Sequence, residues 1–533
     1  MPMNSRQFIC AIAILLGLAA CGSSSDSPAP APAPLQITSG PTLVTMPNAN
    51  TPLTATVELT ANRAVRVRLR IDAGTSADVI EFPTLASSHL LPVLGLQPDS
   101  AYTVSIDLIE ADGSLLAVNQ PLSFVTSPLP NDFPDIDVLV NDPANMEPGY
   151  TLLHRFSRGR AADPDLGTYT IVLDTNGKVV WYSELGGNNL AHGDDGNLFY
   201  RVDNDIIEMD FLGNILRSVT LQNPGTDAHH DLVITADDSI LTLSRNSVVV
   251  DNYPASTTDP LLRQTAEIID EPPAEFSMTG ELLNLWPLAS SLDTGRINYS
   301  SLEATEAGFD WVHANALYHD NDDDALLVSL RHQDAVVKID RASGDLIWIL
   351  GPHDNWGSEF EPYLLTPVEP GFEWQFHQHA PMVTRDGNIL LFDNGNFRAS
   401  PYDGRTPVEN EANYSRAVEY AIDENLMTIR QVWQYGKQAS PQLFAGFIGD
   451  ADELAQSGNV LITYGGTSVI DGISTASLGF GPVVARIVEV TRSIPATKVF
   501  EVMISDESSW ISVYRSERIA SLYPAGVTVV TTN

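Results

Sequence analysis

Histidine recurs in this chain at spacings that could do chemistry. His229-His230-Asp231 precedes Asp237-Asp238 and the apolar run Ile240-Leu241-Thr242-Leu243. Trp311-Val312-His313-Ala314-Asn315 precedes Asp322-Asp323-Asp324 and Leu326-Leu327-Val328, and Phe376-His377-Gln378-His379 precedes Asp386-Gly387 and Ile389-Leu390-Leu391-Phe392. His230 and His379 each stand seven residues before the acidic turn; His313 has the same strand context with a longer turn. His192, before Asp195-Gly196-Asn197, is a weaker copy. Imidazole can act as a nucleophile, as a general acid or base near neutral pH, or as a metal ligand. Arg331 ends the strand after His313, and a permanent cation beside several imidazoles suits an oxyanion. Asn315, two residues beyond His313, faces the same side of a strand. The same alternation predicts that His229 and His230 point to opposite faces, and His377 and His379 to one face.

These histidines belong to a repeat. From residue 133 to 533, short apolar strands are separated by turn signals such as Asp174-Thr175-Asn176-Gly177, Asp194-Asp195-Gly196-Asn197, Ser277-Met278-Thr279-Gly280, Ala342-Ser343-Gly344-Asp345 and Gln456-Ser457-Gly458-Asn459. One strand type follows the turn (Leu198-Phe199-Tyr200, Ile389-Leu390-Leu391-Phe392, Val460-Leu461-Ile462). Another carries an acidic residue near its end, as in Ile206-Ile207-Glu208, Ala417-Val418-Glu419 and Ile487-Val488-Glu489. A further strand carries tryptophan (Val179-Val180-Trp181, Leu346-Ile347-Trp348). About six such units predict an all-β fold, a six-bladed β-propeller with the histidines on inner strands around its axis. Residues 35–130 alternate apolar and polar in Val65-Arg66-Val67-Arg68-Leu69-Arg70 and Tyr102-Thr103-Val104-Ser105-Ile106, which predicts a small preceding β-sandwich with no clustered polar chemistry.

Three stretches, DWVHANALYHDNDDDALLVSLRHQDAVVKID, QHAPMVTRDGNILLFDNG and YSRAVEYAIDENLMTIRQVWQYG, resemble bacterial arylsulfate sulfotransferases over roughly residues 135 to 530. The resemblance implies a six-bladed propeller in the periplasm. It also implies transfer of a sulfuryl group from a phenolic sulfate ester to a phenol acceptor, without a nucleotide sulfate donor, a metal or another cofactor. It implies His379 as nucleophile through a transient sulfohistidine, with ping-pong kinetics. His313 and Arg331 would hold the sulfuryl oxygens, His230 would join them or act as acid and base, and Asn315 would orient or hydrogen-bond the sulfate. His229, His377, Arg398 and Arg416 are further candidates whose membership of the site is open, and Trp311 and Phe376 could flank a phenol ring. Some relatives carry a disulfide near the nucleophile loop. Cys10 and Cys21 are the only cysteines here, so residues 353–374 are expected to be held by packing alone.

Composition narrows the alternatives. The 533 residues hold 68 Asp and Glu against 28 Lys and Arg, a formal charge of −40, which disfavours a nucleic-acid partner. Residues 1–20 read as a signal segment, with Arg6 before an apolar run too short to span a bilayer. Leu18-Ala19-Ala20-Cys21 resembles a lipobox, which predicts lipidation at Cys21, and residues 21–34 read as a Ser- and Pro-rich tether. The expected location is periplasmic or cell-surface, attached by that lipid alone and to the outer membrane, since Gly22 rather than Asp follows the cysteine. A homodimer is compatible with the sequence. Two other readings stand beside the transferase. One is a metal-dependent hydrolase or lyase using the histidines, which Arg331 disfavours; the other is a non-catalytic surface propeller that binds a ligand.

Overall fold

The computed structural model describes residues 33–74, 76–158, 168–185, 188–193, 195–222, 228–474, 482–506 and 510–532. The signal segment and Cys21 lie outside the described residues. Among those described, the fold is all-β, interrupted only by 3-10 turns at Arg331–Gln333, Ser358–Tyr363 and Asn410–Ala412.

The alternating segments near the start form one six-stranded sheet. It holds Ile37–Thr45, Ala55–Asp72, Ala77–Val93, Ala101–Ile109, Leu115–Val125 and, from the far end of the chain, Thr528–Thr532. The expected sandwich unit is therefore not built from residues 35–130 alone. Its two longest strands pair along most of their length, with register shifts around Val65. Val57, Leu69, Val104 and Ile106 pack in one cluster with Leu152, Trp181, Tyr200 and Phe211 of the region that follows. The apolar face of this sheet is thus buried against the rest of the protein, where burial contributes about 25 cal/mol per Å² of apolar surface.

Beyond it, six mainly antiparallel sheets of four or five strands follow in chain order. Their first strands are Asn188–His192, His229–Ile234, Ala314–Asp320, His379–Val383, Asp450–Glu453 and Ile511–Ile519, and each touches the next in this order. The last of them pairs with Tyr150–Arg158, so one sheet combines the two ends of this region, and Tyr150–Arg158 in turn touches Asn188–His192. A small sheet, Asn246–Pro254 with Arg263–Asp270, Gly308–Phe309 and Ala304–Thr305, is inserted within and after the second of these units.

The sequence repeat has a physical origin in buried carboxylates. Glu208, Glu275, Glu419 and Glu489 are all buried, and a buried carboxylate must be paired or hydrogen-bonded. Asn197, Asn388 and Asn459, each closing the turn before the second strand, donate Nδ2 to Glu208 at 2.8 Å, Glu419 at 2.9 Å and Glu489 at 2.7 Å. Ser239 Oγ plays that part for Glu275 at 2.7 Å. An arginine completes each pair: Arg217, Arg341, Arg492 and Arg518. The recurring turn residue and the recurring acidic residue are therefore two halves of one contact.

Trp181 is fully buried, donates Nε1 to Phe211 O at 2.8 Å, and lies where the N-terminal sheet meets the other sheets. Trp181→Ala is expected to destabilise the protein by about 3–5 kcal/mol. Urea unfolding measures this, and a loss below about 1 kcal/mol would mean that the two parts do not share a core.

Candidate active site

The first strands do not run regularly where the histidines sit. Register shifts interrupt the pairing between His229 and Leu232, between Ala314 and Ala316, and between His379 and Met382. His230, His313 and Ala380 have φ of 55°, 43° and 49°, a left-handed conformation that costs a non-glycine residue on the order of 1 kcal/mol or more. Bulges of this kind re-aim side chains. Their effect at the first site corrects the expectation from strand alternation. His229 and His230 do not point apart, because the left-handed turn at His230 brings the two Nδ1 atoms to 2.6 Å.

The rings form a chain of contacts. Centroids lie 4.8 Å apart for His229 and His230, 5.1 Å for His230 and His313, 4.6 Å for His313 and His332, and 6.0 Å for His332 and His377. His332 and Arg331 come from the 3-10 turn that ends the strand Ala325–Leu330. His332 was not among the sequence candidates; its one signal was adjacency to Arg331 in Leu330-Arg331-His332-Gln333. It bonds the guanidinium directly, with Nη1 to Nε2 at 2.6 Å, and Arg331 Nη2 donates to Gly446 O at 3.3 Å.

Hydrogen-bond partners fix which ring nitrogen carries each proton. His332 Nδ1 donates to Asp310 O at 2.6 Å, so its Nε2 is the acceptor for Arg331. His313 Nδ1 bonds Asp310 Oδ2 at 2.6 Å, which directs its Nε2 away from the carboxylate. His229 Nε2 donates to Ser244 O at 3.0 Å, so His229 Nδ1 accepts from His230 Nδ1 and the lone pair of His230 is on Nε2. His379 Nδ1 meets Asn394 Oδ1 at 2.7 Å. An amide oxygen only accepts, so the proton is on Nδ1 and the Nε2 lone pair is free.

Burial disfavours the charged form of His229, His230, His332 and His379. It lowers His229 to about 3, with the Arg245 charge adding to the effect. His230 is pushed well below the usual histidine range by burial, then by His229, His313 and His379. His332 and His379 are pushed the same way by burial and by the charge of Arg331. A neutral imidazole beside a guanidinium is the protonation state that a nitrogen nucleophile and an oxyanion clamp require. Glu271, which accepts from Ala314 N at 2.6 Å and Arg245 Nη2 at 3.1 Å, is raised to about 7 by burial.

His230, His313 and Arg331 are thus brought into one array. The nucleophile candidate His379 lies within the electrostatic reach of Arg331, whose charge adds to burial in lowering its pKa. Asn315 is also tied to the nucleophile candidate's strand. Its Nδ2 donates to Gln378 O at 2.9 Å, so one of its two N–H groups holds the peptide preceding His379. His229 is bonded at both nitrogens, and so is His377, at 2.8 Å to Asp334 and 3.2 Å to Ser300 Oγ. Arg398 and Arg416 both pair with Asp393, Arg416 fully buried, and serve as internal struts. Trp311 is a core residue bonded to Arg296 O, and Phe376 is buried. His192 lies 3.4 Å from Glu517, away from the ring contacts above. Residues 353–374 are held by more than packing: His353 Nε2 donates to Leu365 O at 2.8 Å, and Thr366–Pro367 pairs in parallel with Thr428–Tyr435.

Asp310, His313 and His332 place one ligand atom each within 4.8 Å of one another, a grouping that could hold a metal ion. Arg331 at 2.6 Å from His332 opposes a cation there.

Residues 121–515 match the family described as Arylsulfotransferase (ASST). The chain is similar to a curated protein of Lelliottia amnigena named arylsulfate sulfotransferase AssT, 24% identical, covering 82% of this chain and 86% of the relative. A protein of the same name from Escherichia coli O6:H1 is 24% identical over 93% of this chain and 95% of its own. Among solved structures, a Synechocystis apocarotenoid oxygenase mutant aligns with a TM-score of 0.31 and 10% identity over 75% of this chain and 95% of its own, too loose to carry an argument.

The buried histidines tie stability to pH. Above about 6.5 the unfolded His229 is neutral as well, so pH has no leverage. As pH falls from there toward 3, the unfolded chain binds the proton first and stability is lost. His229→Gln is expected to make the fall of unfolding free energy with pH shallower in this window, read by chemical denaturation at several pH values.

Proposed function

Because the chain belongs to the arylsulfotransferase family and is an arylsulfate sulfotransferase, we propose that it carries the sulfuryl group on His379. The observation that carries this reading is the fixed Nδ1 proton of His379, which frees Nε2 within the field of Arg331. In the first half-reaction the Nε2 lone pair forms the N–S bond and the S–O bond to the phenol breaks. The electron pair leaves on the phenolic oxygen. In the second, an acceptor phenol oxygen attacks sulfur, the S–N bond breaks, and His379 recovers its lone pair. His230 Nε2, unprotonated in the neutral ring, takes the acceptor's proton. Arg331 and His313 hold the sulfuryl oxygens as charge spreads over them, the role of preorganised donors. His332 positions Arg331.

A six-bladed β-propeller is the architecture proposed for the six sheets. It is supported by the serial contact of their first strands and by the sheet that unites the two ends of the region. Lipid attachment at Cys21 and a periplasmic or cell-surface location, anchored by that lipid to the outer membrane, are likewise proposed, on the sequence. Among the described residues no helix is long and apolar enough to cross a membrane.

A metal-dependent hydrolase is the second reading, favoured only by the Asp310, His313 and His332 grouping. One assay separates them. The purified protein is mixed with a chromogenic aryl sulfate, with and without added phenol or EDTA. The transferase reading expects one equivalent of phenol released at once without acceptor, turnover that rises with acceptor, no effect of EDTA, and no release from His379→Ala. Release that ignores acceptor and stops with EDTA would overturn it. Arg331→Ala is expected to lower kcat by about 10²–10³, the loss typical of one oxyanion donor.

A further inference from the structure

We infer that Asn394 is a positioning residue that commits the His379 proton to Nδ1 without ever taking it. Asn394 is fully buried in the turn after the strand Ile389–Asp393. Its Nδ2 donates to two carbonyls, Ala445 O at 2.8 Å and Ile448 O at 2.9 Å. Two acceptors facing one end of the amide leave a single orientation, with Oδ1 toward His379 Nδ1. Its own carbonyl accepts from Ser415 Oγ at 2.7 Å, which holds the turn in place. The loop bearing Ala445 and Ile448 also supplies Gly446 O to Arg331 Nη2, so one loop sets both the nucleophile's clamp and the guanidinium. On the sequence, Asn394-Gly395 reads only as a turn.

The chemistry explains why the partner is an amide and not a carboxylate. This role of Asn394 rests on His379 accepting the sulfuryl group. When Nε2 bonds sulfur, the ring retains its Nδ1 proton and becomes a cationic N-sulfoimidazolium. A cationic ring leaves readily when the acceptor oxygen attacks sulfur, and it returns to neutral imidazole with the same proton still on Nδ1. A carboxylate in place of the amide would draw that proton away. The ring would then be a neutral N-sulfoimidazole, a poorer leaving group, and the intermediate would persist. Asn394 thus serves both half-reactions: it orients the lone pair for the first and preserves the leaving group for the second.

The test has a variant arm and an arm that needs no variant. In the wild-type protein with 15N-labelled histidine, His379, assigned by comparison with His379→Gln, is expected to show the Nδ1–H tautomer at pH 7. Finding the Nε2–H tautomer would overturn the inference. In rapid mixing with a chromogenic aryl sulfate, Asn394→Ala is expected to slow the first release about a hundredfold, with KM little changed. Asn394→Asp is expected to retain the first release and slow the acceptor-dependent step, so that labelled sulfate accumulates on His379. Wild-type kinetics in Asn394→Ala, or an equal loss of both steps in the two variants with unchanged thermal stability, would overturn it. If the wild type releases no phenol and takes no label, the sulfuryl reading fails by itself, and the tautomer still decides whether Asn394 fixes the His379 proton on Nδ1.

Discussion

A buried imidazole has one proton to place and two nitrogens to place it on, and the centre of this protein is organised by where those protons go. His229, His332, His377 and His379 are buried, so their ring nitrogens find partners within the chain. Backbone carbonyls of Ser244 and Asp310 and the amide oxygen of Asn394 take single N–H groups and hold none of them as charge. The same burial that imposes this pairing keeps the rings neutral beside Arg331. A site of several potential cations can therefore stay poised for an anion without collapsing into mutual repulsion.

Positioning those partners requires an irregular backbone. Regular strands would alternate side chains between faces, and a ring chain from His229 through His377 could not form on them. The bulges and left-handed residues at His230, His313 and Ala380 turn the side chains toward one another at a local cost. The surrounding sheets sustain that cost. Their second and third strands are largely buried, and in three of the sheets an Asn–Glu–Arg contact ties turn, strand and neighbouring loop together.

Function and fold share this logic. Arg331, proposed as the oxyanion clamp, is not a lone arginine on a loop but a guanidinium held by His332 and Gly446 at the end of a buried strand. The loop from Ala445 to Ile448 reaches from the next sheet to both Arg331 and Asn394. Contact between neighbouring sheets joins the parts of the site that each sheet supplies. This is why residues separated by more than 200 positions, such as His230 and Ala445, belong to one candidate site.

What the sequence determined by itself was local and periodic. Turn glycines, alternating strands and the acid that recurs in the third strand were legible because each is read within a few residues, and they implied the all-β repeat. His230, His313, His379 and Arg331 were legible because their types are rare and their spacing to a turn repeats. Asn394, His332 and Asp310 were not, since an Asn before Gly looks like any turn and an Asp before Trp311 looks like any loop. Their roles depend on which distant carbonyl or ring they meet. Only the tertiary structure decided that the amide of Asn315 donates to Gln378, that His229 and His230 face each other, and that Arg416 is an internal strut. The physical reason is the same in each case. A side chain's direction follows from its φ and from the strand beside it, and a hydrogen bond's partner follows from packing between sheets, neither of which is written in sequence spacing.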